Sequence, residues 1–178
     1  MFKCLNVKMK GGFTLIELLV VTSIIILLSA IVFPNYRGIE RQFALQRSAH
    51  KLAQDIRRAE EMAMSTREFE GEIPKGGYGI HLSISWRTYY KLYADNGNGK
   101  YGSGDSDVEI INLEKGVYIQ NISPSSLSIN FKPPIPTIKI TTEAGQKSTT
   151  AVITLSLESD PTKTKIIKVN SAGLIDAE

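Results

Sequence analysis

The chain has 178 residues, 42% hydrophobic and 22% charged, which suits one globular domain with an appendage rather than two full domains. Three of its 21 basic residues are lysines before Gly12, and without them the basic residues equal the 18 acidic ones. A neutral body argues against a general nucleic-acid-binding protein. The single cysteine, Cys4, lies in the same basic stretch, so the rest of the chain has no thiol for a disulfide, a metal site or a nucleophile.

An apolar run of 21 residues extends from Phe13 to Phe33, and Glu17 is its only charged residue. At about 1.5 Å per residue, a helix of this length spans a hydrocarbon layer of about 30 Å. Lysines before the run predict a membrane anchor with a cytoplasmic N-terminus and with the residues after Pro34 outside. A cleaved signal peptide is the alternative, but the end of the run has only a poor small-x-small site. A buried core helix of this length is disfavoured.

Glu17 is an energetic anomaly, because a carboxylate at membrane depth costs about 2 to 3 kcal/mol or more and therefore needs a partner. One alternative is an acid near the interface that extends outward to water. No basic residue lies within a few turns downstream. Cleavage before Phe13 would create an α-amino group. Within one chain this amine and Glu17 are four residues apart, which separates them by about 6 Å along the helix axis. An axially staggered neighbouring copy could supply this cation instead.

The stretch "KGGFTLIELLVV", residues 10–21, resembles the class III signal of type IV prepilins and type II secretion pseudopilins. The resemblance implies that a prepilin peptidase cuts between Gly12 and Phe13 and methylates the new Phe13 amine. It also implies that Glu17 neutralises the amine of an adjacent subunit during filament assembly. Pro34 matches the helix-breaking proline of the family, which lets that part of the helix extend in the filament.

The resemblance also implies partners and a location. The partners are the prepilin peptidase, other pilin or pseudopilin subunits and an inner-membrane assembly platform. The protein is expected first as a single-pass protein of the cytoplasmic (inner) membrane and then in an extracytoplasmic filament. The extra glycine at position 11 should leave cleavage intact. Met1 is favoured as the initiator, since a start at Met9 would leave a leader of only four residues.

Residues 35 to about 68 are predicted to continue the helix, with an apolar stripe at spacings of three and four residues. The stripe is short and rich in alanine, which favours packing on the domain's own sheet over a coiled coil. It consists of Leu45, Ala49, Leu52, Ile56, Ala59 and Ala63. The arginines of this segment are interpreted as members of solvated intrahelical pairs rather than a DNA-binding strip. They are Arg41, Arg47, Arg57 and Arg58, near Glu40, Asp55, Glu60 and Glu61.

The hydrophobic pattern then changes to period two, which predicts strands. Residues 78–86, "YGIHLSISW", alternate between apolar and more polar positions, and residues 88–94 are the expected hairpin partner. The prolines of residues 132–136 indicate a connection or an edge. The further predicted strands are Val108–Leu113, Val117–Ile122, Leu127–Phe131, Thr137–Thr141, Ala151–Leu157, Lys163–Val169 and Leu174–Asp176.

A long helix followed only by strands predicts an α+β, pilin-like fold in which the helix lies against an antiparallel sheet. The expected segments are a leader (1–12), a transmembrane assembly helix (13–34), an amphipathic continuation (35–68) and a β-rich globular domain (69–178). Residues 70–77 are the expected hinge between helix and sheet. The order of elements resembles that of minor pilins and H-type pseudopilins. The absence of a cysteine pair that could close a C-terminal loop counts against a major pilin.

The loop "ADNGNGKYGSGDSD", residues 94–107, allows two hypotheses. A Gly-x-Gly-x-x-Gly match within it is rejected as a dinucleotide site, because a strand rather than a helix follows. Its oxygen donors are of the kind that Ca²⁺ prefers, but their spacing does not fit an EF-hand, and turn chemistry alone explains the composition. These donors are Asp95, Asn96, Asn98, Asp105 and Asp107.

The sequence has few candidates for catalysis. His50 and His81 have no Cys, Glu or second His at metal spacing, so they are interpreted as surface or packing residues. A nucleophile elbow, a phosphate loop and a helix-borne histidine pair are all missing from the sequence. No enzyme and no resident cofactor are therefore expected, apart from the calcium hypothesis.

The expected function is a structural subunit of a type IV pilus-like filament, either a minor pilin or a pseudopilin, with the type II secretion pseudopilus as the favoured system. One alternative is a minor pilin for adhesion, motility or DNA uptake. The other is an uncut, membrane-anchored binding or enzymatic domain.

Overall fold

The computed structural model describes residues 12–133, 137–142 and 144–178, without the side chains of residues 33–37 and 137. The chain divides into two compact units, Met1–Ile39 and Glu40–Glu178. One helix, α1, extends from Leu15 to Met64 and contributes residues to both units. Most of the predicted leader, residues 1–11, lies outside the described residues.

The helical backbone continues through Pro34, so the predicted helix break at this position is not observed. Proline has no N–H and therefore removes one bond to the carbonyl four residues earlier. The turns on both sides remain helical. Extension of the segment around Pro34 in a filament stays a prediction.

The part of α1 in the second unit buries its predicted apolar stripe. All six members are buried: Leu45, Ala49, Leu52, Ile56, Ala59 and Ala63. They belong to one hydrophobic core together with inward-facing residues of the strands. The small alanines leave room for strands to approach the helix closely. The prediction that this stripe packs within its own domain is confirmed.

The described part of the second unit contains ten strands in two antiparallel sheets. The six-stranded sheet has the order β3-β2-β1-β5-β6-β7 and the four-stranded sheet the order β10-β9-β8-β4. Every strand predicted from the sequence is present, and only the two-residue β7 was not predicted. The strands are β1 Gly77–Leu82, β2 Tyr89–Asp95, β3 Ser106–Asn112, β4 Val117–Ser123, β5 Leu127–Lys132, β6 Thr137–Thr142, β7 Lys147–Ser148, β8 Thr150–Leu157, β9 Asp160–Asn170 and β10 Ile175–Ala177.

Strand β1 lies at the centre of the six-stranded sheet and differs from its prediction. All six of its residues are buried, so the sheet is covered on both faces here. His81, expected on the polar face, is only 2% exposed. The strand ends at Leu82, because the following residues form a turn in which the Trp86 amide donates to the Ser83 carbonyl at 3.0 Å.

Two tyrosine hydroxyls connect the helical segment to the six-stranded sheet. Tyr90 of β2 donates to Asp55 Oδ2 at 2.5 Å, and Tyr78 of β1 donates to the Arg67 carbonyl, just past the helix, at 2.6 Å. Burial, together with the neighbouring Asp55 carboxylate, raises the pKa of Tyr90. The Tyr90 hydroxyl therefore stays protonated and serves as a permanent donor to the helix.

Candidate processing and assembly site

The predicted cleavage point lies immediately before α1, in exposed, non-helical backbone. The side chain of Phe13 is 81% exposed. A Cβ added to Gly12 would meet no atom within 4 Å, so the described fold itself does not require glycine at this position. The glycine is better explained by recognition from outside the chain. Cleavage between Gly12 and Phe13 and methylation of Phe13 stay predictions.

Thr14 caps the first turn of α1. The amide of Glu17 donates to Thr14 Oγ1 at 3.3 Å, and the helix begins at Leu15. Thr-Leu-Ile-Glu thus has the spacing of a capping box, with threonine as the N-cap and glutamate at the third helical position. This role of Thr14 was not predicted from the sequence, although the Thr-x-x-Glu spacing is the signal for it.

Glu17 is exposed in the first turn of α1. No basic side chain of the described residues lies within ion-pair distance of its carboxylate. The positive end of the helix dipole favours an acid at this position. The role of Glu17 in assembly stays a prediction.

The rest of the first unit presents an uncovered apolar surface. Leu15–Val32 is the one described segment that is helical, long and apolar enough to cross a membrane, and none of it is buried. Its hydroxyl groups are satisfied within the helix, since Thr22 and Ser23 donate to the Leu19 carbonyl and Ser29 donates to the Ile25 carbonyl. This surface is therefore suited to hydrocarbon or to other apolar helices.

Residues 7–33 match the family model described as the prokaryotic N-terminal methylation motif, the signature of type IV prepilins and pseudopilins. The chain carries the type IV prepilin signature. No curated protein and no solved structure matches the chain. The signature together with the α+β, pilin-like layout supports a type IV pilin-like or pseudopilin subunit.

The prepilin signature has consequences for partners and location. It implies processing by a prepilin peptidase and assembly with other pilin subunits. Together with the single apolar helix, it fits a membrane-anchored pilin. The family of this signature is structural rather than typically enzymatic.

In the β-rich unit of this pilin-like chain, residues 96–105 form a loop, here called the outer loop, that folds over the outer face of the six-stranded sheet. The Tyr101 ring stacks on His81 with centroids 4.5 Å apart, and the Tyr101 amide donates to Ser128 Oγ at 3.1 Å. Ser128 Oγ also lies 2.9 Å from His81 Nδ1. The outer loop therefore explains why His81 is buried, and a packing role for this histidine is observed.

The proposed calcium donors lie in the outer loop and in the two strands beside it, and several of them already have partners within the chain. Asp105 accepts from the Asn96 and Gly102 amides at 2.9 and 2.8 Å, and Asn98 accepts from the Lys100 amide at 2.8 Å. Asp107 pairs with the Lys91 ammonium at 2.6 Å. No three His, Cys, Asp or Glu side chains gather as a metal site in the described part of the chain. Calcium binding stays a prediction; turn contacts account for Asp105 and Asn98, and a cross-strand ion pair accounts for Asp107.

Asp95 is the buried member of this set and is only 1% exposed. Its Oδ2 accepts from the Gly99 amide at 2.9 Å, whereas its Oδ1 has no hydrogen-bond partner among the described residues. Burial raises the pKa of Asp95, and the backbone bond from Gly99 opposes this shift by favouring the charged form. Asp95 therefore acts chiefly as the acceptor around which the outer loop turns.

Two of the three ion pairs that the helix arginines form in the described chain are with acids outside the helix, which corrects the sequence interpretation. Arg58 lies 2.7 Å from Glu109 of β3, and Arg47 lies 3.4 Å from Glu114. One intrahelical pair is present, between Arg58 and Asp55 at 3.9 Å. Packing of α1 beside β3 brings these acids closer than the acids of the helix itself, which a one-dimensional pattern does not show.

Proposed function

We propose that this chain is a minor pilin or pseudopilin, a structural subunit of a type IV pilus-like filament, with the type II secretion pseudopilus as the favoured system. A prepilin peptidase cuts between Gly12 and Phe13 and methylates the Phe13 amine. The subunit is stored in the cytoplasmic membrane, with its β-rich unit outside, until the inner-membrane assembly platform adds it to the filament through its apolar helix.

One observation carries the proposal: Glu17 sits in the first turn of α1, within the apolar segment Leu15–Val32, of which none is buried. The cost of an unpaired carboxylate in such surroundings is relieved by a cation at the same depth. The Phe13 amine of an axially shifted neighbour is such a cation, and it arises only after cleavage. Glu17 thereby makes assembly dependent on processing.

Mass spectrometry of the N-terminus of the native protein tests the processing step. We expect a chain that begins at Phe13 and carries one extra methyl group on its α-amine. An uncut N-terminus, or an unmethylated one at another residue, would overturn the proposal in favour of a membrane-anchored binding or enzymatic domain.

A second readout addresses the filament system. Deleting the gene should stop secretion of folded proteins across the outer membrane if the filament is a secretion pseudopilus. Loss of surface pili, adhesion, motility or DNA uptake with normal secretion would instead assign the subunit to a pilus. The lack of a cysteine pair in the sequence of the β-rich unit counts against a major pilin.

A further inference from the structure

The exposed side of α1 in the second unit, here called the helix face, has cations without an acidic partner in the described chain. Lys51 forms no ion pair among the described residues, and Arg57 donates only to the Ile175 carbonyl, at 3.3 Å. Phe43 is 53% exposed among these polar residues. The helix face consists of Phe43, Gln46, His50, Lys51, Gln54 and Arg57.

The charge of the second unit reverses abruptly along the chain. Residues 41–58 carry five basic residues and one acid, a net charge of +4, whereas residues 59–72 carry five acids and one base, a net charge of −4. The latter stretch is called the acidic segment. None of its acids forms an ion pair with a described residue. They are Glu60, Glu61, Glu68, Glu70 and Glu72.

This charge order does not serve the helix itself. The C-terminal end of a helix carries a partial negative charge, so bases are favourable there and acids are not. The last turn of α1 nevertheless contains no base, and it contains Glu61. Acids at the end of a helix, with no base in the last turn to compensate for them, are unfavourable for the fold itself. Such a broken local preference indicates a functional role, here a contact with another molecule.

We propose that the helix face of one subunit receives the acidic segment of a second copy in a head-to-tail contact. The inference rests on the proposed function, since it places the contact in the filament. Lys51 and Glu61 are ten residues apart, about 15 Å along the helix axis, so the second copy is shifted along this axis. Two different surfaces meet in this contact, so it repeats without closing, as a filament requires. Phe43 is covered in the same contact.

Disulfide crosslinking of the full-length protein in filament-forming cells tests this contact. Cys4 is the natural cysteine and lies in the predicted leader, so cysteines introduced beyond Gly12 are the only thiols of the processed chain. Two differently tagged copies are co-expressed, one with Gln54→Cys on the helix face and one with Ser65→Cys in the acidic segment. We expect a disulfide between the two tags and its weakening as salt rises.

Charge reversals added to both copies provide the decisive comparison. Lys51→Glu or Glu68→Lys alone should lower the crosslink yield roughly two- to fivefold, and the two together should restore it. Lys163→Glu on the exposed part of β9 is the matched control and should change nothing. A crosslink yield that the charge reversals leave unchanged would overturn the contact. Crosslinks that form only between two copies of the same position, or only to a different subunit, would also overturn it.

The crosslinking and sedimentation results distinguish a failure of the head-to-tail contact from a failure of the proposed function. Wild-type chains that are cut before Phe13 and sediment as filaments, but give no crosslink between residues 54 and 65, would overturn the head-to-tail contact alone. Chains that are neither cut nor assembled would overturn the proposed function and, with it, this contact.

Discussion

At the scale of residues, Glu17 combines two roles whose magnitudes differ. As the third helical residue after the Thr14 cap, it gains about 0.3 to 1 kcal/mol from the positive end of the helix dipole. An ionised acid in an apolar layer costs about 2 to 3 kcal/mol or more. The capping position therefore offsets only part of the cost, and the proposed cation from another subunit would offset the rest.

Glu17→Gln should separate the two roles, because glutamine keeps the capping geometry but removes the charge. We expect normal cleavage and membrane insertion, with incorporation into filaments reduced about 30-fold or more, as the loss of an ion pair worth about 2 kcal/mol predicts. The measurement is the ratio of processed subunit in sheared filaments to that in membranes. Incorporation at the wild-type level would refute pairing with the amine, and Glu17→Ala should behave like the glutamine variant.

At the scale of elements, the spacing of apolar residues and the local composition predicted most of the helix and the strands. The strand predicted at Val117–Ile122 is observed at Val117–Ser123, and the one predicted at Leu127–Phe131 at Leu127–Lys132. The predictions that failed are those that depend on which part of the chain covers a strand or helix surface. The burial of His81 depends on the outer loop, which contacts it from 20 residues downstream through Tyr101, and a local pattern contains no such information.

The start of α1 is defined by a capping residue, Thr14, that was not among the predicted features. The spacing between Thr14 and Glu17 is a local signal and was available, whereas the partners of Arg47 and Arg58 on the strand side are set by tertiary packing. Of the candidate site, the sequence alone supplied Gly12, Phe13 and Glu17, which stay predictions. Their intermolecular chemistry cannot be read from one chain.

Thr14→Ala should loosen the first turn of α1, because it leaves the Glu17 amide without its side-chain acceptor. The expected cost is about 1 kcal/mol, seen as roughly fivefold faster hydrogen exchange of the Glu17 and Leu18 amides, which donate to Thr14, in the full-length protein in detergent micelles. Thr14→Ser retains the oxygen and serves as the control. Equal exchange in the alanine and serine variants would show that Thr14 does not cap the helix.

At the scale of the whole molecule, the β-rich unit is stabilised around a helix that also belongs to the anchor. Its core contains the buried alanines and apolar residues of α1 together with strands of both sheets. The polar connection between Asp55 and Tyr90 lies inside this contact. The stability of the second unit thus depends on packing against α1 as well as on strand pairing.

Tyr90→Phe should destabilise the second unit by about 1 to 3 kcal/mol, since the buried Asp55 carboxylate loses its hydroxyl donor. Urea unfolding of the full-length protein in detergent, followed by Trp86 fluorescence, measures the change. Tyr118→Phe, which alters a half-buried tyrosine on β4, is the control. Matching midpoints for the two variants would mean that the bond to Asp55 contributes nothing.

The two neighbours of β1 in the sheet differ greatly in their distance along the chain, which affects how fast the β-rich unit can fold. One neighbour, β2, follows directly along the chain, but the other is β5, which begins at Leu127, 45 residues after β1 ends at Leu82. Pairings across such distances form slowly, over about milliseconds to seconds, whereas helices form within about a microsecond. The apolar helix is thus ready to enter the bilayer while the rest of the chain is still unfolded. For the membrane-stored subunit proposed above, the β-rich unit would then fold while already tethered, at the surface of the membrane.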